Sequence, residues 1–189
     1  MDTIRKCTNI QLSVFYNIKF CFEQDLINFT TTRYIMDSID FKILSILQKD
    51  CMISYKDLAK KIGLSYSPTY ERIKLLEETG VIKNRVTILD PKKVGIKLFV
   101  YCNITLKEQS KKSLLDFEKS VSRFPEIMEV ISLSGVYDYM LKIATTDIEA
   151  YNSFIMNKLA NIPNIGQYHS NIVLSIVKDE TAYPLTEEE

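Results

Sequence analysis

The sequence predicts an α+β protein in which an N-terminal winged helix-turn-helix is followed by a ferredoxin-like βαββαβ unit. Apolar residues recur at helical spacing through residues 38–79, and from residue 98 they alternate at strand spacing. A Pro-Lys-Lys run at residues 91–93 separates the two patterns. With 189 residues, the chain is long enough for two small domains that each bury a core of their own.

These patterns divide the chain into five segments. Residues 1–35 form an N-terminal extension, residues 36–90 the helix-turn-helix unit, and residues 91–97 a linker. Residues 98–180 form the ferredoxin-like unit, and residues 181–189 a C-terminal tail. Because residues 1–35 show neither helical nor strand periodicity, we expect Met36 to be the natural start. A short accessory arm is the alternative.

The first helices follow from apolar spacing and from capping residues. Isoleucines and leucines on one face predict a helix at about residues 38–49. Ser54 and Asp57 resemble a capping box, which predicts the start of a second helix. Gly63 favours the left-handed conformation that ends a helix. Because Gly63 stands so close to the next helix, the two helices must cross steeply, as in a helix-turn-helix.

The third helix is predicted at about residues 66–79 and offers groups that could contact DNA. Ser65 or Ser67 can cap it, and Pro68 fits its first turn. Its outer face carries hydroxyl groups and Arg72, which are suited to base edges in the major groove. Residues 81–89 alternate loosely and predict a strand, the wing. Small three-helix units also occur without DNA binding, so periodicity alone leaves both interpretations open.

The second unit is predicted to be a four-stranded antiparallel sheet covered on one face by two helices. Strands are expected at residues 98–106, 127–133, 137–145 and 167–177, and helices at residues 111–124 and 147–160. On the first strand, Phe99 and Tyr101 belong to the face that the helices leave open. Because an open apolar face is rarely left in water, the sequence predicts a homodimer.

Charge is distributed unevenly, although Lys and Arg balance Asp and Glu at 24 each. Residues 36–97 hold 12 basic and 8 acidic side chains, whereas residues 98–189 hold 8 basic and 13 acidic ones. A basic first unit and an acidic second unit suit one DNA-facing domain and one that faces a second copy. Candidates for phosphate neutralisation are Lys42, Lys74, Lys83 and Arg85.

Several classes of function find little support in the residue types. The four cysteines are scattered without a Cys-x-x-Cys pair, and His169 is the only histidine. We therefore expect no metal site, no cofactor and no catalytic residues. No apolar run approaches the roughly 20 residues of a membrane helix, and the start of the chain lacks a signal-peptide cleavage site, so a cytoplasmic protein is expected.

Blocks in both units resemble the Lrp/AsnC (feast/famine) family of transcription regulators. The resemblance covers residues 36–185 and rests on residues 37–50, 53–65 and 71–82, on the Ser134-Gly-Val-Tyr-Asp-Tyr turn and on residues 178–185. It implies a transcription factor whose second domain forms dimers, often octamers, and binds an amino acid between dimers.

The resemblance also implies site residues. Together with the outer face of the third helix, it assigns DNA binding to Ser65, Tyr66, Ser67, Thr69, Arg72 and Lys74. The implied amino-acid site comprises Ser134, Gly135, Tyr137, Asp138, Ser170 and Asn171. There Asp138 would pair with the ligand's ammonium group, and backbone N–H groups near Gly135 would bind its carboxylate.

Two other functions share this architecture. Sirohaem decarboxylases resemble it, but their chemistry calls for basic residues in the second domain, which is acidic here. A modulator that pairs with a related regulator without binding DNA is the second alternative. Arg72 and the hydroxyl groups of the third helix favour direct DNA binding.

Overall fold

The computed structural model describes residues 34–185, so the predictions for residues 1–33 and 186–189 lie outside the described residues. Its contacts divide this part of the chain into two compact units. One contains residues 34–88 together with residues 177–185, and the other contains residues 89–176. In the described residues, no helix is long and apolar enough to cross a membrane.

The helix-turn-helix unit consists of three helices around a small apolar core. They are α1 (Ser38–Leu47), α2 (Tyr55–Ile62) and α3 (Tyr66–Glu78). The centre of the core is fully buried and takes residues from all three helices, namely Ile43, Leu58, Ile73 and Leu76. This packing confirms the predicted apolar faces and leaves the opposite side of α3 in solvent.

The ends of these helices follow local capping chemistry. The hydroxyl of Ser54 accepts a hydrogen bond from the Asp57 N–H at 3.1 Å, as the sequence predicts. Gly63 ends α2 with φ 75°, the left-handed conformation expected of it. At the start of α1, Asp37 and Asp40 form a complete capping box that the sequence analysis did not identify.

The predicted wing strand at residues 81–89 is not formed within the described residues. These residues are mostly exposed, and the unit to which they belong consists otherwise of helices and the C-terminal segment. A strand needs a neighbouring strand for its backbone hydrogen bonds, and the pairings of the described residues lie within residues 98–172. Loose alternation in the sequence was therefore not sufficient evidence for a strand.

The C-terminal segment packs against α1. The side chain of Gln48 donates to the carbonyl of Tyr183 at 2.8 Å and accepts from its N–H at 2.9 Å. Tyr183 and Leu185 also line a cavity of about 490 Å³ with Phe41 and Leu44 of α1. The helix-turn-helix unit is thus built from two stretches of chain that are far apart in sequence.

The α/β unit has the predicted βαββαβ order. Its elements are β1 (Leu98–Leu106), α4 (Lys111–Val121), β2 (Ile127–Ser132), β3 (Tyr139–Thr145), α5 (Ile148–Asn157) and β4 (Ile165–Ile172). The strands form one antiparallel sheet in the order β2-β3-β1-β4. This arrangement confirms the predicted ferredoxin-like fold.

The two faces of the sheet differ in burial. Val100, Cys102 and Ile104 face the helices and are completely buried, since each is 0% exposed in the core. Phe99 and Tyr101 alternate with them and are half-buried. β4 ends at residue 172, earlier than the predicted 177, because Ile172 already pairs with Val100 near the start of β1.

Removing residues 177–189 should destabilise the helix-turn-helix unit by about 1–3 kcal/mol. The reason is the loss of two hydrogen bonds to Gln48 and of apolar contact with α1. Amide hydrogen exchange in α1 measures the opening free energy of this unit. Removing only residues 186–189 is the matched control and should leave exchange unchanged. Equal exchange in both truncated chains would contradict a stabilising role for the tail.

Candidate functional site

Four of the six predicted DNA-binding residues lie exposed on or next to α3. They are Ser65, Tyr66, Ser67 and Lys74. Ser65 occupies the N-cap position with extended backbone, but its hydroxyl makes no capping bond within the described residues. Lys74 lies 3.6 Å from Glu78, one turn further along the helix, and both side chains are largely exposed. The start of α3 therefore presents hydroxyl groups to solvent.

Thr69 does not share this exposure. It is 0% exposed, and its hydroxyl donates to the carbonyl of Ser65 at 2.9 Å. Thr69 precedes Ile73 and Leu76 at intervals of four and seven residues, so it lies on the core face of α3. The prediction that Thr69 contacts bases does not fit this position.

Arg72 joins α3 to the start of α1. Its guanidinium lies 2.8 Å from a carboxylate oxygen of Asp37 and 2.8 Å from one of Asp40. Hydrogen bonding from Arg72 lowers the pKa of Asp37, and the two carboxylates raise the pKa of Arg72. Because both arms of the guanidinium are engaged, the predicted reading of bases by Arg72 does not match its placement.

Asp40 is the buried centre of this ion-pair cluster. The residue is 0% exposed, and its carboxylate also accepts from the hydroxyl of Tyr34 at 2.7 Å and from the N–H of Asp37 at 3.0 Å. Burial and the bond to Asp40 raise the pKa of Tyr34 to about 12, so the phenol remains a donor. A buried carboxylate with this many donors fixes the start of α1 against α3.

A series of aromatic side chains lies on one flank of α3. The rings of Tyr66 and Tyr70 are stacked, with centroids 6.2 Å apart and planes 9° apart. Tyr70 also contacts Tyr55, the first residue of α2, at a centroid distance of 5.9 Å. Tyr55 and Tyr70 were not among the predicted site residues, although the spacing of Tyr66 and Tyr70 already places them on one helix face.

The residues predicted to neutralise phosphates differ in whether other side chains already engage them. Lys42 and Lys83 are exposed. Arg85 is paired with Glu77 at 2.8 Å, and its guanidinium lies over the ring of Tyr55 at 5.6 Å. Arg85 therefore supports the aromatic side chains of this flank, and a phosphate would have to compete with Glu77 for it.

The turn between β2 and β3 is held in place by Asp138. This residue is 7% exposed, and its carboxylate accepts from the N–H of Leu106 and from the side chain of Gln109, both at 2.7 Å. Ser134 and Gly135 lie exposed at the tip of the turn. The predicted pairing of Asp138 with a ligand's ammonium group does not match a carboxylate whose two oxygens already bind the protein.

The remaining predicted effector residues lie on different faces of the sheet. Ser170 pairs with Cys102 and hydrogen-bonds to Tyr151 of α5, on the side of the helices. Asn171 comes next on β4 and therefore belongs to the open face, where its side chain donates to the carbonyl of Tyr101 at 3.3 Å. The structure thus separates Ser170 from Asn171.

Tyr137 reaches from the turn towards β4. Its ring lies 5.5 Å from that of His169, measured between centroids. His169 is exposed and pairs with Asn103 of β1. Of the six predicted effector residues, Ser134, Gly135 and Tyr137 therefore form one accessible group, with His169 as a neighbour.

The described residues contain no cluster of three or more His, Cys, Asp or Glu side chains that could hold a metal ion. Cys102 lies in the core, where burial raises the pKa of its thiol to about 11. A thiol of this kind stays protonated at neutral pH and is a poor nucleophile.

A helix-turn-helix joined to an antiparallel α/β unit defines a class of DNA-binding transcription regulators, and two family profiles agree with it. Residues 36–83 match the profile for winged helix-turn-helix DNA-binding domains. Residues 100–183 match the profile described as the Lrp/AsnC ligand binding domain.

Relatives and solved structures match both units together. The chain is 39% identical over 153 residues to the transcriptional regulator AzlB of Bacillus subtilis, covering 81% of this chain and 98% of AzlB. It is similar to the crystal structure of an AsnC family transcriptional regulator from Agrobacterium tumefaciens, with 42% identity and a TM-score of 0.75. That likeness covers 79% of this chain and 97% of the other.

A further solved structure was determined with a ligand. A transcriptional regulator from Neisseria meningitidis in complex with L-Met has 29% identity and a TM-score of 0.75, covering 79% of this chain and 97% of that one. Together, these matches show that the chain belongs to the Lrp/AsnC family of transcription regulators.

Replacing Arg72 by alanine should destabilise the helix-turn-helix unit by about 3 kcal/mol. The reason is that Asp40 would remain buried without its cation. Thermal unfolding by circular dichroism measures the change. Arg72→Lys keeps the charge but loses the two-armed geometry, so it should fall between wild type and Arg72→Ala. A fully stable Arg72→Ala protein would show that the ion-pair cluster does not hold the helices together.

Proposed function

We propose that this regulator inserts α3 into the major groove of double-stranded DNA and that an amino acid bound at the β2–β3 turn controls it. The exposed first turns of α3 carry the first part of the proposal. Ser65, Ser67 and Lys74 are exposed and offer hydrogen-bond donors and acceptors. On the opposite side of the helix, Thr69 is buried, and Arg72 binds the carboxylate of Asp40 on α1. Because Arg72 is paired with Asp37 and Asp40, its role in this arrangement is to position α3 against α1.

Two copies of the helix-turn-helix would enter successive major grooves about one helical turn apart. A homodimer then favours a pseudo-palindromic site. Lys42, Lys74 and Lys83 are exposed cations of the same unit, so affinity should fall steeply as salt concentration rises.

Titration of the full-length protein against DNA from its own promoter tests this proposal. We expect specific retardation in a gel-shift assay at concentrations where a scrambled duplex of the same length stays free. Raising the salt concentration should weaken binding to both duplexes. Ser67→Ala, which leaves the core of α3 intact, should reduce the preference for the promoter. Equal binding to promoter and scrambled DNA would contradict a sequence-specific regulator.

The proposed effector is a free amino acid. The relative from Neisseria meningitidis was solved with L-Met, and residues 100–183 match a ligand-binding profile. In this chain, Ser134 and backbone N–H groups near Gly135 are exposed and could bind a carboxylate. Asp138 positions the turn through Leu106 and Gln109, and it also brings negative charge close to the site.

Gly135→Val should abolish the response of DNA binding to amino acids while leaving the fold unchanged. A Cβ atom at Gly135 meets nothing within 4 Å, and the residue does not need the left-handed conformation. A larger side chain would therefore block only an approaching ligand or subunit. The gel-shift assay with and without a pool of the twenty amino acids measures the response.

Gly135→Ala is the graded control for this substitution. It should weaken the response by less than Gly135→Val does, because it adds only one methyl group. An unchanged response in Gly135→Val would place the effector elsewhere.

We propose that the open face of the sheet forms a homodimer and that dimers assemble further, up to an octamer. Phe99, Tyr101 and Met140 lie half-buried on this face, and Leu174 beyond β4 is 96% exposed. An apolar face of this kind suits a second copy of the same sheet.

Tyr101→Asp should convert the dimer to monomer, because a carboxylate would be buried at the centre of the interface. Sedimentation velocity measures the mass of the assembly. Tyr101→Phe keeps the ring and should remain dimeric. A dimeric Tyr101→Asp protein would show that subunits meet through another surface.

The family assignment favours regulation over catalysis, and we propose that the protein is not an enzyme. A sirohaem decarboxylase would need basic groups near its tetrapyrrole, whereas His169 is exposed beside Tyr137 in an acidic unit. Because the proposed partner is chromosomal DNA, we place the protein in the cytoplasm.

A further inference from the structure

Tyr66 and Tyr70 form an exposed apolar surface at the beginning of α3. Their side chains are 53% and 44% exposed, on the first and second turns of the helix. The two rings are stacked on each other, so they form a joint aromatic surface rather than isolated exposed side chains. Hydroxyl groups alone could be supplied by serine, as they are at the neighbouring Ser67, so the rings themselves call for an explanation.

The two rings are held in position by the protein. Tyr66 stacks on Tyr70, Tyr70 contacts Tyr55, and Arg85 covers Tyr55 while pairing with Glu77. A side chain that is already fixed loses little conformational entropy when it binds a partner. The three tyrosines, with Arg85 over the ring of Tyr55, are therefore already in a fixed arrangement before a partner binds.

We infer that Tyr66 and Tyr70 recognise the C5-methyl groups of thymine. The inference rests on the proposed insertion of α3 into the major groove. In that groove the thymine methyl is the apolar group by which one base pair differs from the others. A tyrosine ring buries a methyl group well, whereas a phosphate would be met by the hydroxyl alone.

The spacing of the two tyrosines sets the pattern of bases they would read. Residues four apart on a helix are separated by about 6 Å along its axis, at roughly 1.5 Å per residue. Base pairs are about 3.4 Å apart. Tyr66 and Tyr70 would therefore contact thymines about two base pairs apart within each half-site.

Deoxyuridine provides a direct test, because it is thymine without the C5-methyl group. Full-length protein first selects its preferred site from a random duplex pool. That site is then synthesised with deoxyuridine in place of thymine, one position at a time. Fluorescence anisotropy gives the Kd of each duplex for wild type, Tyr66→Ala, Tyr70→Ala and Tyr70→Phe.

For wild type, we expect two positions per half-site at which deoxyuridine weakens binding about fourfold, the effect of one methyl-sized apolar group. Each alanine variant should lose the penalty at one of the two positions and keep it at the other. Tyr70→Phe should retain both penalties, since it lacks only the hydroxyl. Circular dichroism checks that each variant is folded.

Several results would overturn the inference. They are a wild type indifferent to deoxyuridine, selected sites without thymine in the half-site, alanine variants with unchanged penalties, or Tyr70→Phe behaving like Tyr70→Ala. In all of these cases the selected duplex is still bound specifically. Failure to select any site would instead refute the proposed DNA binding, so the two failures are distinguishable.

Discussion

The carboxylate of Asp40 is buried beside Tyr34 and Arg72, and the arrangement of α1 against α3 depends on how its charge is balanced. A lone carboxylate in such a place would cost several kcal/mol. Arg72 supplies the counter-charge from α3, and Tyr34 and the Asp37 N–H supply further donors. Since Asp40 lies in the first turn of α1 and Arg72 in the middle of α3, the pair locks one helix against the other.

This cluster orients the surface of α3 that we propose meets DNA. With Arg72 directed towards α1, and with Thr69 and Ile73 in the core, the rotation of α3 about its axis is fixed. Ser67 and the tyrosines then necessarily face outwards. The ion-pair cluster between α1 and α3 thus determines which side chains of α3 face the solvent. A substitution in the cluster would therefore disturb DNA recognition without removing a group that contacts a base.

Much of the fold could be predicted from the sequence, because periodicity and capping are local properties. The βαββαβ order, the Ser54 cap and the Gly63 stop all follow from residues close together in the chain. The prediction of a wing strand was wrong because a strand forms only when a second strand, which can be distant in sequence, pairs with it. Neither alternation nor turn residues at 81–89 reveal whether such a partner exists.

The roles of the site residues were harder to predict, because the type of a residue does not determine whether its side chain points into solvent or into the protein. Arg72, Thr69 and Asp138 are polar residues beside functional segments, yet each points into the protein and satisfies a structural bond. Tyr70, by contrast, lies exposed on α3 and stacks on Tyr66. Only the packing of neighbouring elements separates these cases.

The contact between Gln48 and Tyr183 has a consequence for how the protein is made. The three helices are translated before the segment that completes their unit, because Tyr183 follows Gln48 by 135 residues in the chain. A nascent or prematurely terminated chain would therefore carry a weakened DNA-binding unit.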